Sequence, residues 1–416
     1  MVRGQGEVRK IASLVGAALA LGAGAASTVH AQTFAAGASS TDGDHTNFEL
    51  GVTLRHDTNV GHTSAEGLAK RRITPVDDRF SPDALLDIQR MLGRHKFGIQ
   101  ADGGYDFYRN NTRLNRERVH VGLSGEIDLS VCNVTLTSDY RRTQTDMANL
   151  TATGDQTLVN NLESKTSAGA EMSCGGEIGV RPMVGVNAEK AVNSSIQRKS
   201  ADRDTKTYSS GLAYVHPSIG TLMAFGSLRQ TRFAHAILSN GEHNGFDVKA
   251  IGGRFSRNTG ARLKGSFEVT YAALSPRVAG GRSFSGLNWS TDLTLDVSSR
   301  MQAHALLARE ITAGAVADTA YHVDTTYGLD LNYALNDKLK LTASGSFMPR
   351  SFAGSQGANG VALTSDRLYT ASTTLSYAMN DRLRFTLGGG YEGRHANVAF
   401  YNYHSINVQT GVRLKL

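Results

Sequence analysis

Two His/Ser pairs come closest to a nucleophile with its base: His235 with Ser239, and His404 beside Ser405. Acyl hydrolysis needs a hydroxyl and an imidazole within hydrogen-bond reach, with the imidazole oriented by a third group. Neither pair has an acidic or oxyanion motif around it, and neighbours such as 404 and 405 point to opposite faces of a strand. No catalytic residue is therefore assigned. The glycines open no phosphate-binding loop leading into a helix, and the cysteines lack metal-ligand spacing, so neither cofactor nor metal is expected.

Cys132 and Cys174 are better suited to a crosslink. They fall at the ends of neighbouring strand-like segments, and pairing 132 with 174 centres the intervening link near residue 153, in a polar stretch. Directly opposed antiparallel residues have Cα atoms about 4.5 to 5.5 Å apart, within disulfide reach. An oxidising compartment would join them. A third set is basic. Lys338, Lys340, Arg382, Arg384, Arg413 and Lys415 recur at corresponding ends of nearby segments. They form either a patch that attracts acidic solutes or an acidic polymer, or a ladder of salt bridges with Asp330 and other acids.

The elements that must position these residues are written in period two. From about residue 46 to the end, apolar and polar residues alternate in segments of roughly ten, as in Leu383, Phe385, Leu387 and Tyr391 against Arg384, Thr386 and Glu392. Short turns fall near Gly93, 131–133, Gly175, 218–220, 258–260, 298–300, Asn336-Asp337 and Asn380-Asp381. Longer polar links fall near 61–79, 110–114, 148–162, 191–204, 236–243, 275–283, 313–318, 351–364 and 396–401. Short and long connections alternate and separate about 18 strands, with 16 to 20 compatible with the pattern; this is the layout of an all-β, transmembrane, antiparallel up-and-down barrel. The unit Leu331–Thr342 reappears as Leu375–Thr386, one strand-turn-strand hairpin used twice.

Composition excludes the competing classes. The 416 residues include 45 Gly, 6 Pro and 2 Cys, with 40% hydrophobic and 19% charged, which fits neither collagen, a disulfide scaffold nor a disordered chain. Beyond the N-terminus nothing approaches the roughly 18 consecutive apolar residues of a spanning helix. Arg3, Arg9 and Lys10 precede the small and apolar run 11–27, and Val29 and Ala31 supply small residues where a signal peptidase reads. Residues 1–31 are thus expected to be a cleaved leader, 32–45 a short periplasmic tail and 46–416 the barrel. A net charge of +7 gives an exported chain no reason to bind nucleic acid.

Taking the apolar phase as outward, Phe97, Ile99, Tyr105, Phe107, Trp289, Tyr327, Leu329, Tyr333, Phe347 and Tyr391 face lipid. Asp102, Asp106, Lys249, Lys264, Glu268, Asp292, Asp296, Asp330 and the six basic residues face the lumen, which must then be wet. An 18-strand barrel has a backbone diameter of about 35 Å. With no link long enough to fold in as a plug, the bore is expected to be open.

The last strand, with Gln409, Gly411, Leu414 and Leu416, resembles the C-terminal signal read by the barrel assembly machinery, with Leu where an aromatic usually ends it. The opening segment Leu50–Val60, with Asp57 and Asn59, followed by Asp78-Arg-Phe-Ser-Pro82, resembles the start of a bacterial beta-barrel porin family associated with exopolysaccharide export. The likeness is specific over 46–90 and architectural elsewhere. It implies an outer-membrane channel exporting a secreted polysaccharide, working with a periplasmic export protein and embedded in outer-membrane lipid and lipopolysaccharide. Asp57 and Asn59 would either contact sugar or cap the first strand. A general diffusion porin and a closed structural or adhesive barrel are the alternatives, the shortness of the loops arguing against adhesion.

Overall fold

The computed structural model describes residues 43–144, 161–257, 262–279, 281–313, 321–353 and 362–416. The leader and all but the last residues of the expected tail lie outside them, as do the predicted turn at 258–260 and parts of four long links. Eighteen strands form one antiparallel sheet that closes on itself. In chain order they are β1 (His45–Asp57), β2 (Asp77–Leu92), β3 (His95–Tyr108), β4 (Arg116–Leu129), β5 (Cys132–Gln144), β6 (Leu162–Cys174), β7 (Gly179–Asn193), β8 (Arg203–His216) and β9 (Gly220–Ile237). The second half comprises β10 (His243–Arg257), β11 (Leu263–Pro276), β12 (Phe284–Ser298), β13 (Met301–Ala313), β14 (Tyr321–Ala334), β15 (Leu339–Ala353), β16 (Ser365–Ala378), β17 (Leu383–Ala396) and β18 (Tyr403–Lys415). Every strand pairs with its sequence neighbours, and β1 pairs with β18 from Glu49↔Lys415 to Asp57↔Asn407, so no edge remains open.

The turns follow from local chemistry. In the twice-used hairpin, Asn336 Oδ1 accepts the backbone N–H groups of Lys338 and Leu339 at 2.9 Å, and Asn380 Oδ1 accepts those of Arg382 and Leu383 at 2.9 and 2.8 Å. Gly93 has φ +64°, the left-handed conformation its two-residue turn demands. At Gly265, φ is +145° and a Cβ would lie 1.9 Å from the Asp292 carbonyl oxygen, so only glycine lets β12 approach there. Cys132 and Cys174 stand directly opposite in the β5–β6 register and are disulfide-bonded.

Side chains alternate across most of the wall as expected. Ile99, Phe107, Leu123, Tyr327, Leu329, Tyr391 and Val408 are exposed on the outer face. Aromatic contacts run along it from Trp289 to Tyr327, Phe347, Tyr369 and His395, with centroid separations of 6.2, 6.0, 5.0 and 6.4 Å. Such a row suits the boundary between apolar and wet layers.

One stretch of wall departs from a single layer. β12 and β13 pair only from Trp289↔Arg309 to Ser298↔Met301, leaving Phe284–Asn288 joined to β11 alone and 310–313 joined to β14 alone. Freed from β12, the ends of β13–β15 bend into the barrel. Ile311, Tyr321, Val323 and Ala353 share the outward phase of Tyr327, yet they form one buried cluster with Phe233, Phe246, Val248, Ala272 and Leu274 of the inner wall. Hydrogen bonds fix the bend: Arg229 Nη2 on β9 donates to the Ile311 carbonyl at 2.7 Å, and the Tyr321 hydroxyl to the Ser283 carbonyl at 3.3 Å.

This bend corrects the placement of Lys249. In the β10 register Lys249 pairs with Leu228 and Ala273 and shares its phase with Ile251, so it faces outward and is exposed. The inner phase of β10 carries Phe246 and Val248 because it packs on the bent strand ends, and the apolar phase changes over between Ala250 and Ile251.

Candidate functional site

The lumen is the candidate site, and its two ends differ. At the short-turn end the inner face is lined by cross-strand ion pairs, whose side chains meet because directly opposed and diagonal residues lie close on one face of a sheet. Arg413 on β18 reaches Asp83 at 2.7 Å and Glu49 at 3.6 Å. Arg254 reaches Glu268 at 2.5 Å, and Lys264 reaches Asp296 at 3.7 Å. Two clusters share one plan, a histidine on a middle strand bridging aspartates on both neighbours. His304 meets Asp292 at 3.1 Å and Asp330 at 3.2 Å, while nearer the other end His120 meets Asp102 at 2.9 Å and Asp139 at 2.5 Å. Carboxylates only accept hydrogen bonds, so both bonds of each histidine call for protons on both ring nitrogens.

The six basic residues are only partly a ladder. Arg413 is held by acids, and Asp330 goes to His304 rather than to the patch. Lys338, Lys340, Arg382, Arg384 and Lys415 have no ion pair among the described residues. Arg384 stands opposite Arg413, and Lys340 lies two strands away opposite Ser376, both on the inner phase near the short turns.

At the long-link end the lumen is narrowed. The end of β14, residues 321–326, is buried on both faces, and Ile311 of β13 and Met348, Arg350, Phe352 and Ala353 of β15 are buried beside it. The face turned from β9–β11 carries His322, Asp324, Arg350 and Phe352. Arg350 donates twice to Asp366, at 2.8 and 2.6 Å, and Arg394 of β17 donates to the same carboxylate at 2.7 Å. All three are buried, so β15, β16 and β17 are clamped by one acid between two arginines. Phe352 also packs with Leu363, Phe400 and Tyr401, and the Arg394 guanidinium lies 5.0 Å from the Tyr401 ring centroid. Beside them the first long link forms the short helix α1 (Ala65–Lys70), capped by Ser64, whose Leu68 packs with Val60, Ile73 and Leu114. The expected open bore is thereby corrected: the constriction is made of strand ends and short links, so link length could not reveal it.

The first-strand residues hold this end together. Asp57 is buried, accepts the Asn59 N–H at 2.9 Å and the Ser405 hydroxyl, and pairs with Arg55 at 3.0 Å. Asn59 Nδ2 donates to the carbonyls of Thr63 and His404 at 3.0 and 3.2 Å. Both residues thus tie β1 to β18 and order the first link. His404 faces outward while Ser405 is buried inside on Asp57, and His235 lies 3.3 Å from Asp202 with Ser239 beyond the end of β9. At the C-terminus, Gln409 and Gly411 face inward, Leu414 and Leu416 outward, and the Leu416 N–H donates to the Phe48 carbonyl at 2.9 Å. Sequence reasoning missed Arg229, Arg350, Asp366 and Arg394. The signal available was the inner apolar phase of Phe246 and Val248, which a single-layer wall does not need.

A family model described as Putative beta-barrel porin 2 matches residues 84–416, from within β2 to the last residue. The chain belongs to that family. It is an outer-membrane β-barrel porin, and the family consists of channels. The match begins after Asp57 and Asn59, so the family assignment rests on the barrel and not on the opening motif. No curated protein matches the chain. Among solved structures the porin is similar to OccK2 (OpdF) of Pseudomonas aeruginosa in complex with glucuronate, at 10% identity and a TM-score of 0.46, covering 90% of this chain and 98% of that one. It is also similar to a BenF-like porin from Pseudomonas fluorescens, at 13% identity and a TM-score of 0.45 over 89% and 99% of the two chains. A third is the siderophore receptor PirA from Acinetobacter baumannii, at 7% identity and 0.43 over 91% and 81%. Likenesses this distant lend no residue its role.

Proposed function

We propose that the porin passes small polar solutes, favouring anions at the short-turn mouth, through a bore narrowed at the other end by β13–β15. The observation that carries this reading is the burial of those strand ends, in β14 on both faces, across the mouth of a charged lumen. A polysaccharide in transit needs an unbroken bore and would meet Arg350, Phe352 and Tyr401 on its way, so export requires the bent ends to swing out. Lys340 and Arg384, which have no acid against them among the described residues, supply the bias toward anions. In this reading residues 1–31 are removed on export, Gln409, Gly411, Leu414 and Leu416 serve assembly, and diffusion through the lumen calls for no catalytic group.

The test is single-channel recording of the purified full chain in a planar bilayer, with neutral polymers of graded size and a salt gradient. A steady, small conductance, exclusion of all but the smallest polymers and an anion-selective reversal potential are expected. Lys340→Glu with Arg384→Glu should move that potential toward cations. A large conductance blocked by the host's own polysaccharide would instead favour export, and absence of current would favour a closed structural barrel.

A further inference from the structure

The outer face carries a charge pattern that transport through the lumen does not use. Above the apolar band, at the long-link end, outward basic residues on β1–β5 are each held by an acid. His56 meets Asp78 at 2.7 Å, Arg109 meets the same carboxylate at 3.3 Å, and Arg142 meets Glu117 at 2.8 Å. Over β12–β17 the corresponding level is the aromatic row from Trp289 to His395, with Arg309 and Arg367 set singly among the rings, opposite Trp289 and His395. Over β7–β10 it is lysine. Lys190, Lys206 and Lys249 are exposed on the outward phase and have no ion pair among the described residues.

The register brings them together. Lys190 stands opposite Asp204, one diagonal step from Lys206 on the adjacent strand. Lys206 stands opposite Gln230 of β9, and Lys249 opposite Leu228 on the far side of β9. With strands about 4.8 Å apart and about 3.4 Å per residue along them, the three lysines, spread over three strand spacings and four residues of register, share a patch roughly 20 Å across. Two acids lie in it. Asp204 faces Lys190 across the strands, and Asp247 is taken by Arg232 at 2.6 Å. Lys190, Lys206, Arg232 and Lys249 therefore outnumber the acids and leave the patch positive. Directly below it the surface is apolar, with Val186, Tyr208 and Ile251 exposed, Ile251 at 69%.

We infer that this face binds a phosphate-bearing glycolipid of the outer leaflet, a lipopolysaccharide, with its phosphates on Lys190, Lys206 and Lys249 and its acyl chains along Val186, Tyr208 and Ile251. Charge complementarity selects the headgroup, and continuity with the apolar band selects a lipid over a soluble anion. An ammonium on a long stem suits this place, because its methylenes lie along the apolar surface while its charge stays at the headgroup level. The site is independent of what passes through the lumen.

The experiment is native mass spectrometry of the full barrel in detergent, titrated with bisphosphorylated lipid A, phosphatase-treated lipid A, phosphatidylglycerol and inorganic phosphate. Preferential retention of the bisphosphorylated glycolipid is expected, with at least tenfold weaker binding in Lys190→Gln/Lys206→Gln/Lys249→Gln and unchanged binding in the control Arg309→Gln/Arg367→Gln. Equal retention of phosphatase-treated lipid A or phosphatidylglycerol, equal competition by inorganic phosphate, or undiminished binding by the triple variant would overturn the inference. The comparison among lipids needs only the native chain, so it decides the matter even if the triple variant does not assemble.

Discussion

In β3, Ile99 and Phe107 face lipid while Asp102 and Asp106 face the lumen. In β14, Tyr321 and Val323 stand in the same phase as Tyr327 and Leu329, yet they are buried against Phe246 and Leu274 on the inner face of the nearby strands β10 and β11. Alternation assigns a side chain to one face of its strand, and only the path of the strand decides what that face meets. Where the wall is one layer, the faces meet lipid and water. Where β13 parts from β12 and bends inward, both faces of the β14 end meet protein, and the barrel gains a small conventional core at its mouth.

The difference is broken most severely at the acid between two arginines. Asp366→Ala leaves Arg350 and Arg394 buried without a counter-charge, and a loss of up to about 5 kcal/mol is expected; urea unfolding in detergent would measure it, and an unchanged midpoint would show the clamp to be idle. Next comes the cluster itself. Phe246→Ala should cost about 3 kcal/mol or somewhat more, as for a filled core site, whereas Ile251→Ala on the lipid face of the same strand should cost much less. Equal losses would mean that β10 has no protein-packed face. Opening Cys132–Cys174, which closes a separation of 42 residues, should remove about 2–4 kcal/mol and leave conductance untouched, since both cysteines lie on the outward phase of a single-layer region. The smallest effect on stability, within about 0.5 kcal/mol, is expected for Lys340→Glu with Arg384→Glu, whose consequence is a reversal-potential shift and not a change in melting.

The strand number, the short turns and the cysteine register were legible in the sequence because each is local. Asn336 and Asn380 announce their turns, and a period of two announces the wall. Lys249 was placed on the wrong face because Phe246, Val248 and Ala250 make an apolar phase whose partner lies on strands far away in the chain. The clamp escaped notice for a different reason: Arg350 and Asp366 are directly opposed on neighbouring strands, so their pairing is local, but nothing in the period-two pattern says that this end of the wall is buried. Asp57 and Asn59, by contrast, were legible as strand-capping residues, since an Asp accepting an N–H two residues on is a local turn.

The central claim is that the ends of β13–β15 set the width of the channel. It is tested most directly by recording single-channel conductance and neutral-polymer cutoff for the native porin beside Ile311→Ser/Val323→Ser, which makes the wall-facing side of those strands polar. A larger conductance and passage of larger polymers in the variant are the expected result; a folded variant with the native conductance and the native cutoff would contradict it.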